Sequence, residues 1–125
     1  GVIDPVLLND FDSKQFYDLK FNLIHQKILY SSLYDDRELQ KFIYERWTKY
    51  GLDLLIESGK EESVILDYLS QYADSEAVQV NYVDYYVRKG HYQKALDILD
   101  EHTGDAYEVK KQEVIEAMNH HKEVS

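Results

Sequence analysis

Glu116 and His120 stand one helical turn apart near the C-terminus, with His121 adjacent. A zinc centre needs three or four convergent ligands, and no HExxH-type pattern accompanies these side chains. His25 lies between apolar residues of a helical segment, while His91 and His102 fall at turns where a capping role accounts for them. None has a nucleophile placed to use it as a base. The acidic doublets Asp35-Asp36 and Glu61-Glu62 both fall at helix starts, where negative charge is favourable beside the macrodipole. No glycine-rich phosphate loop, GxSxG elbow or calcium-loop spacing is present. The expectation is a protein that is not an enzyme and carries no metal or cofactor.

What does stand out is aromatic. The chain has 12 tyrosines in 125 residues, a side chain suited to half-wet positions and enriched at interfaces. Most are expected to pack between helices, with Tyr30, Tyr34, Tyr44 and Tyr72 as candidates for exposed partner anchors. The 24 acidic residues against 14 basic give a formal net charge of −10. Like charge repels phosphate backbones, so nucleic acid is not an expected partner, whereas a basic protein or peptide is favoured. No run reaches the roughly 18 apolar residues that would span a bilayer. Cysteine is absent, which agrees with a cytoplasmic location. A start at Gly1 is the pattern expected of a piece cut from a longer polypeptide.

The elements that must position these residues are helical. Proline occurs once, at Pro5, and the five glycines are sparse punctuation; no run alternates as a strand would. An extended lead is expected over 1–12, a single all-helical repeat domain over 13–121, and a frayed end over 122–125. Six helices are read. The first runs from Ser13 to Ser31, with Asp12 and Gln15 in capping-box register. It carries two apolar stripes, Phe16, Leu19, Leu23 and Tyr30 on one side and Tyr17, Phe21, Ile24 and Ile28 on another, so cover on both sides is expected. The second starts at Asp35, with Glu38 three positions on, carries Leu39, Ile43, Trp47, Tyr50 and Leu54 on one stripe, and stops at Gly59. Gly51 in its middle predicts a bend or the close approach of a neighbouring helix. The others span Glu61–Tyr72, Ser75–Lys89, His91–Glu101 and Asp105 to His121. The fourth is rich in β-branched and aromatic residues that favour strands, and the glycine on its C-terminal side decides for helix.

Two stretches share a register. Gly59 lies 31 positions before Gly90, and that offset pairs Leu52 with Val83, Asp53 with Asp84 and Ile56 with Val87. After the glycines a one-residue slip pairs Leu66 with Leu96, Asp67 with Asp97 and Leu69 with Leu99. A repeat of this period predicts stacked antiparallel helical hairpins, either an α-solenoid or a helical bundle. The stretch from Tyr82 to His102 resembles a tetratricopeptide repeat, with Tyr86, Gly90, Tyr92 and Ala95 at the family's recurring core positions. Val83 replaces the small mid-helix residue and the closing proline is missing. In the earlier unit Gly59 and the apolar spacing survive.

The resemblance implies a concave surface lined by first-helix positions. These are Ala77, Val80, Asp84, Val87 and Arg88 in the better unit, and by register Arg46, Lys49, Asp53, Ile56 and Glu57 in the other. Lys49 with Asp53, and Asp84 with Arg88, are also spaced i, i+4 and would equally serve as solvated helix pairs. The function expected on these grounds is a non-catalytic protein- or peptide-binding helical module, part of a larger protein. The alternatives are a regulatory or sensor domain that binds a small peptide or ligand and controls a tethered effector, or a scaffold that dimerises through Tyr and Trp faces.

Overall fold

A computed structural model describes residues 5–124, with side chains described for 15–123. The described residues form six α-helices: α1 (Pro5–Tyr30), α2 (Arg37–Glu57), α3 (Glu62–Gln71), α4 (Glu76–Arg88), α5 (Tyr92–Asp100) and α6 (Asp105–Val124). A 3-10 turn over Ser31–Leu33 follows α1, and no strand occurs among the described residues. The all-α expectation therefore holds, and α4 is helical despite its strand-favouring composition. Its ends explain this: the Ser75 side chain accepts a hydrogen bond from Val78 N at the N-terminus, and a glycine turn stops the helix at the other end.

The extended lead is corrected in part. Residues 5–12 are helical, with Pro5 as the first helical residue, a position that suits proline because its missing N–H has no intrahelical partner there. Asp12 therefore lies inside α1 and not at its start. Residues 1–4 and Ser125 lie outside the described residues, and α6 continues as helix to Val124, past the expected frayed start at 122. At α2 the cap is Asp36, whose Oδ1 accepts from Glu38 N at 2.8 Å, one residue after the expected Asp35.

Both repeat glycines end their helices in the same way. Gly59 has φ +67° and Gly90 φ +80°, the left-handed region that side chains disfavour. Gly59 N donates to Ile56 O at 3.1 Å and Lys60 N to Leu55 O at 3.1 Å; Gly90 N donates to Val87 O at 3.0 Å and His91 N to Tyr86 O at 2.9 Å. Each is a Schellman motif, closing the open carbonyls of the last helical turn. The 31-residue register thus places the same turn twice.

The contacts divide the chain into two compact units, Gly1–Tyr68 and Leu69–Ser125, with the division inside α3. In the first unit α1 packs on α2. Ile28, Leu52, Leu55, Ile65 and Tyr68 are buried, and Tyr17, Phe21 and Ile24 are half-buried. The buried face of α2 is Thr48, Gly51, Leu52 and Leu55; the expected stripe from Leu39 to Leu54 lies to one side of it. Gly51 is the point of close approach. Tyr68 of α3 lies over it, and its hydroxyl donates to Thr48 O at 2.6 Å.

In the second unit α4 packs on α5, and α6 packs on both. Val78, Tyr82, Val83, Tyr86, Ala95, Leu99, Tyr107 and Val114 are buried, while Val80, Tyr85 and Val87 are half-buried, so α4 is covered on two sides as its pattern predicts. Gln79 is the buried polar centre. Its Nε2 donates to Leu69 O at 3.0 Å and Tyr72 O at 3.2 Å, and its Oε1 lies 3.2 Å from His102 Nε2. With both amide protons engaged, the Gln79 oxygen accepts, which assigns a proton to His102 Nε2. The His102 ring stacks on Tyr107, centroids 4.8 Å apart.

Candidate functional site

The residues implied by the repeat resemblance fall on α2 in the first unit and α4 in the second. Lys49 and Asp53 form the helix pair that their spacing allows, at 3.4 Å. Arg46 is exposed, its Nε donating to the Tyr50 hydroxyl at 3.1 Å. On α4, Ala77, Val80 and Val87 are half-buried and Arg88 is exposed. Asp84 bonds Lys110 of α6 at 3.0 Å rather than Arg88, and Lys110 also reaches Glu113 at 3.0 Å. Burial alone would lower the Lys110 pKa, but the bonds to Asp84 and Glu113 outweigh it and raise it above the ordinary lysine value. The α4 set is thus engaged with α6 at Asp84, and the α2 set retains an exposed cation.

The more open surface lies on the first unit, where an expectation fails. Among the described residues of α1, only the Tyr17, Phe21, Ile24 and Ile28 side is covered; the other stripe faces outward, with Leu19 67% and Leu23 50% exposed. Phe16, Tyr30, Leu33 and Tyr34 are exposed as well, and Leu39 and Phe42 of α2 join them. A second apolar stripe records a capacity for burial, but another element must arrive to use it.

Where this surface meets α2 it deepens into a pocket of about 480 Å³ lined by Lys27, Tyr30, Tyr34, Ile43, Arg46 and Trp47. Three elements build it. The 3-10 turn is fixed by Ser31 Oγ donating to Ile28 O at 2.6 Å, and Gln40 of α2 reaches back to the carbonyls of Ser32 and Tyr34, holding the Tyr34 backbone at the pocket edge. The Lys27 ammonium lies 6.0 Å from the Trp47 ring centroid, and the Arg46 guanidinium 5.6 Å from that of Tyr50, both within cation–π range. Trp47 meets Tyr50 edge-on with centroids 5.2 Å apart, which holds the indole against this wall.

Sequence reasoning singles out Tyr30 and Tyr34 as aromatic anchors and Arg46 by repeat register, and misses Lys27, Ile43 and Trp47 as members of one site. Of the other tyrosine anchors, Tyr44 is half-buried and Tyr72 is buried, its pKa raised by that burial and by Asp74. The histidines do not assemble: His91 heads α5 without a side-chain cap bond, and His121 lies against Tyr92. Among the described residues no group of three or more His, Cys, Asp or Glu side chains is placed to hold a metal ion, and no helix is long and apolar enough to cross a membrane. In comparisons with known proteins, no family model matches the chain, and no curated protein or solved structure matches it.

Proposed function

We propose that this chain is a non-catalytic protein- or peptide-binding helical module, acting in the cytoplasm as part of a larger protein. The observation that carries the reading is the outward stripe of α1, continued by Leu33 and Tyr34. Contiguous exposed apolar surface of this kind marks an interaction site more often than plain surface. The tetratricopeptide-like stretch from Tyr82 to His102 and the paired glycine turns support a scaffold that presents helix faces. Affinity capture with the wild-type chain and with a Leu19→Glu, Leu23→Glu variant tests it, since both positions are exposed and the exchange leaves the helix intact. A co-purifying protein lost from the variant, with circular dichroism unchanged, supports the reading; identical captures refute it.

The same stripe gives a second reading, a scaffold that dimerises through this face. Light scattering across a concentration series separates the two. A monomer throughout removes self-association.

A further inference from the structure

We propose that the pocket between α1 and α2, with the apolar stripe leading from it, receives an acidic amphipathic helix of a protein partner. Its apolar side chains lie on Phe16, Leu19 and Leu23, and a carboxylate sits against Lys27 and Arg46. The inference rests on the interaction-module reading and adds the chemistry of the occupant.

The spacing of the stripe selects a helix. Phe16, Leu19 and Leu23 follow the three-and-four alternation of a helix-pairing seam, and Tyr30 resumes it one heptad after Leu23. From Phe16 to Tyr30 the rise is about 21 Å, which is four turns of a partner helix.

The local charge selects an acidic partner, against the chain's own formal net charge of −10. At 100° per residue Lys20 and Lys27 border one edge of the stripe and Gln15, Asn22 and Gln26 the other, while Asp18 falls well away from it. The pocket lining holds two cations and no carboxylate. Three lysines are paired with carboxylates: Lys49 with Asp53, Lys110 with Asp84 and Lys111 with Asp100. Among the described residues neither Lys27 nor Arg46 has an acidic partner. Arg46 uses its Nε on Tyr50, leaving its terminal guanidinium donors for a carboxylate. Tyr30, Tyr34 and Trp47 supply the apolar walls that such pockets use for affinity.

A second copy of this chain fits less well. In an antiparallel pair the like flanks of two seams meet, so lysine would face lysine; in a parallel pair the lysine flank would meet the amide flank and gain no ion pair.

The test is fluorescence anisotropy on the full chain with two synthetic four-turn helical peptides. Both carry leucine at the seam positions, one with glutamate at the flanking positions and the other with lysine. The acidic peptide is expected to bind, more weakly as salt rises, and the basic one to bind at least about tenfold more weakly. A Lys27→Glu, Arg46→Glu variant, exchanged at surface positions, is expected to reverse that order. Equal binding of both peptides, or an unchanged preference in the variant, overturns the assignment. So does a wild-type dimer in light scattering that Leu23→Glu dissociates. If Leu19→Glu, Leu23→Glu still loses a captured protein while the peptides show no charge preference, this inference falls and the interaction-module reading stands.

Discussion

Replacing Gly51 by alanine adds one methyl group to the middle of α2, a change that at an open helical site stabilises by about 1 kcal/mol. Here the new Cβ would stand 2.9 Å from Tyr68 Cζ and closer still to the hydroxyl oxygen. Tyr68 is 6% exposed and its hydroxyl is bonded to Thr48 O at 2.6 Å, so the ring has little freedom to retreat. Overpacking of this kind costs about 2 kcal/mol, and pulling a buried hydroxyl off its acceptor about 1.5 kcal/mol. Set against the propensity gain, Gly51→Ala is expected to destabilise by about 2–3 kcal/mol. Urea unfolding followed by Trp47 fluorescence and circular dichroism measures this, with the denaturant slope unchanged if the effect is local. In a Tyr68→Phe background the nearest atom is gone, and the penalty should shrink by about 1 kcal/mol in a double-mutant cycle. A stabilising Gly51→Ala would refute the reasoning, because it would mean that nothing presses on that face of α2.

Gly59→Ala and Gly90→Ala should each cost about 1–2 kcal/mol, because a side chain meets no neighbour at either site and only the positive φ opposes it. Thermal unfolding should show similar losses for the two; a large difference would mean that the turns are not equivalent. Gln79→Leu removes two donors from the Leu69 and Tyr72 carbonyls in a buried place and should cost about 2–3 kcal/mol by urea titration. Tyr72 O keeps its bond from Ser75 N at 2.9 Å, so a loss below about 0.5 kcal/mol would show the Leu69 carbonyl otherwise satisfied as well. At alkaline pH the raised pKa values of Lys110 and Tyr72 act in one direction. The folded state holds these protons more tightly than the unfolded state, so the contribution is present in full below about pH 10 and is lost as pH rises through the folded values. Stability measured from about pH 9 to about pH 12 should fall, and less steeply in Lys110→Met; equal slopes would remove Lys110 as a cause.

Legibility in the sequence followed how local each cause is. Gly59 and Gly90 could be read because a helix stop is a property of a few consecutive residues, and Ser75 with Gly90 fixed α4 against its strand-favouring interior. The shift of the α2 cap from Asp35 to Asp36 shows the resolution limit of such signals, since adjacent aspartates offer the same chemistry. Pro5 was misassigned because proline serves equally in an extended lead and at a first helical position. The outward stripe of α1 escaped because periodicity reports which residues share a side of a helix and says nothing of whether a neighbour covers it. The pocket was hidden for a related reason: Lys27, Tyr34 and Trp47 meet across three elements, and no spacing along the chain links them.

The paired glycine stops also define where this chain can change length. Removing residues 60–90 would join Gly59 directly to His91, so the residue after the left-handed glycine would again be one that follows such a glycine in the parent chain. That excision leaves a glycine at the left-handed position, whereas a cut that removed Gly59 and kept the rest of the chain in register would set a side chain where only glycine sits comfortably. A chain shortened by residues 60–90 is therefore expected to keep that helix stop.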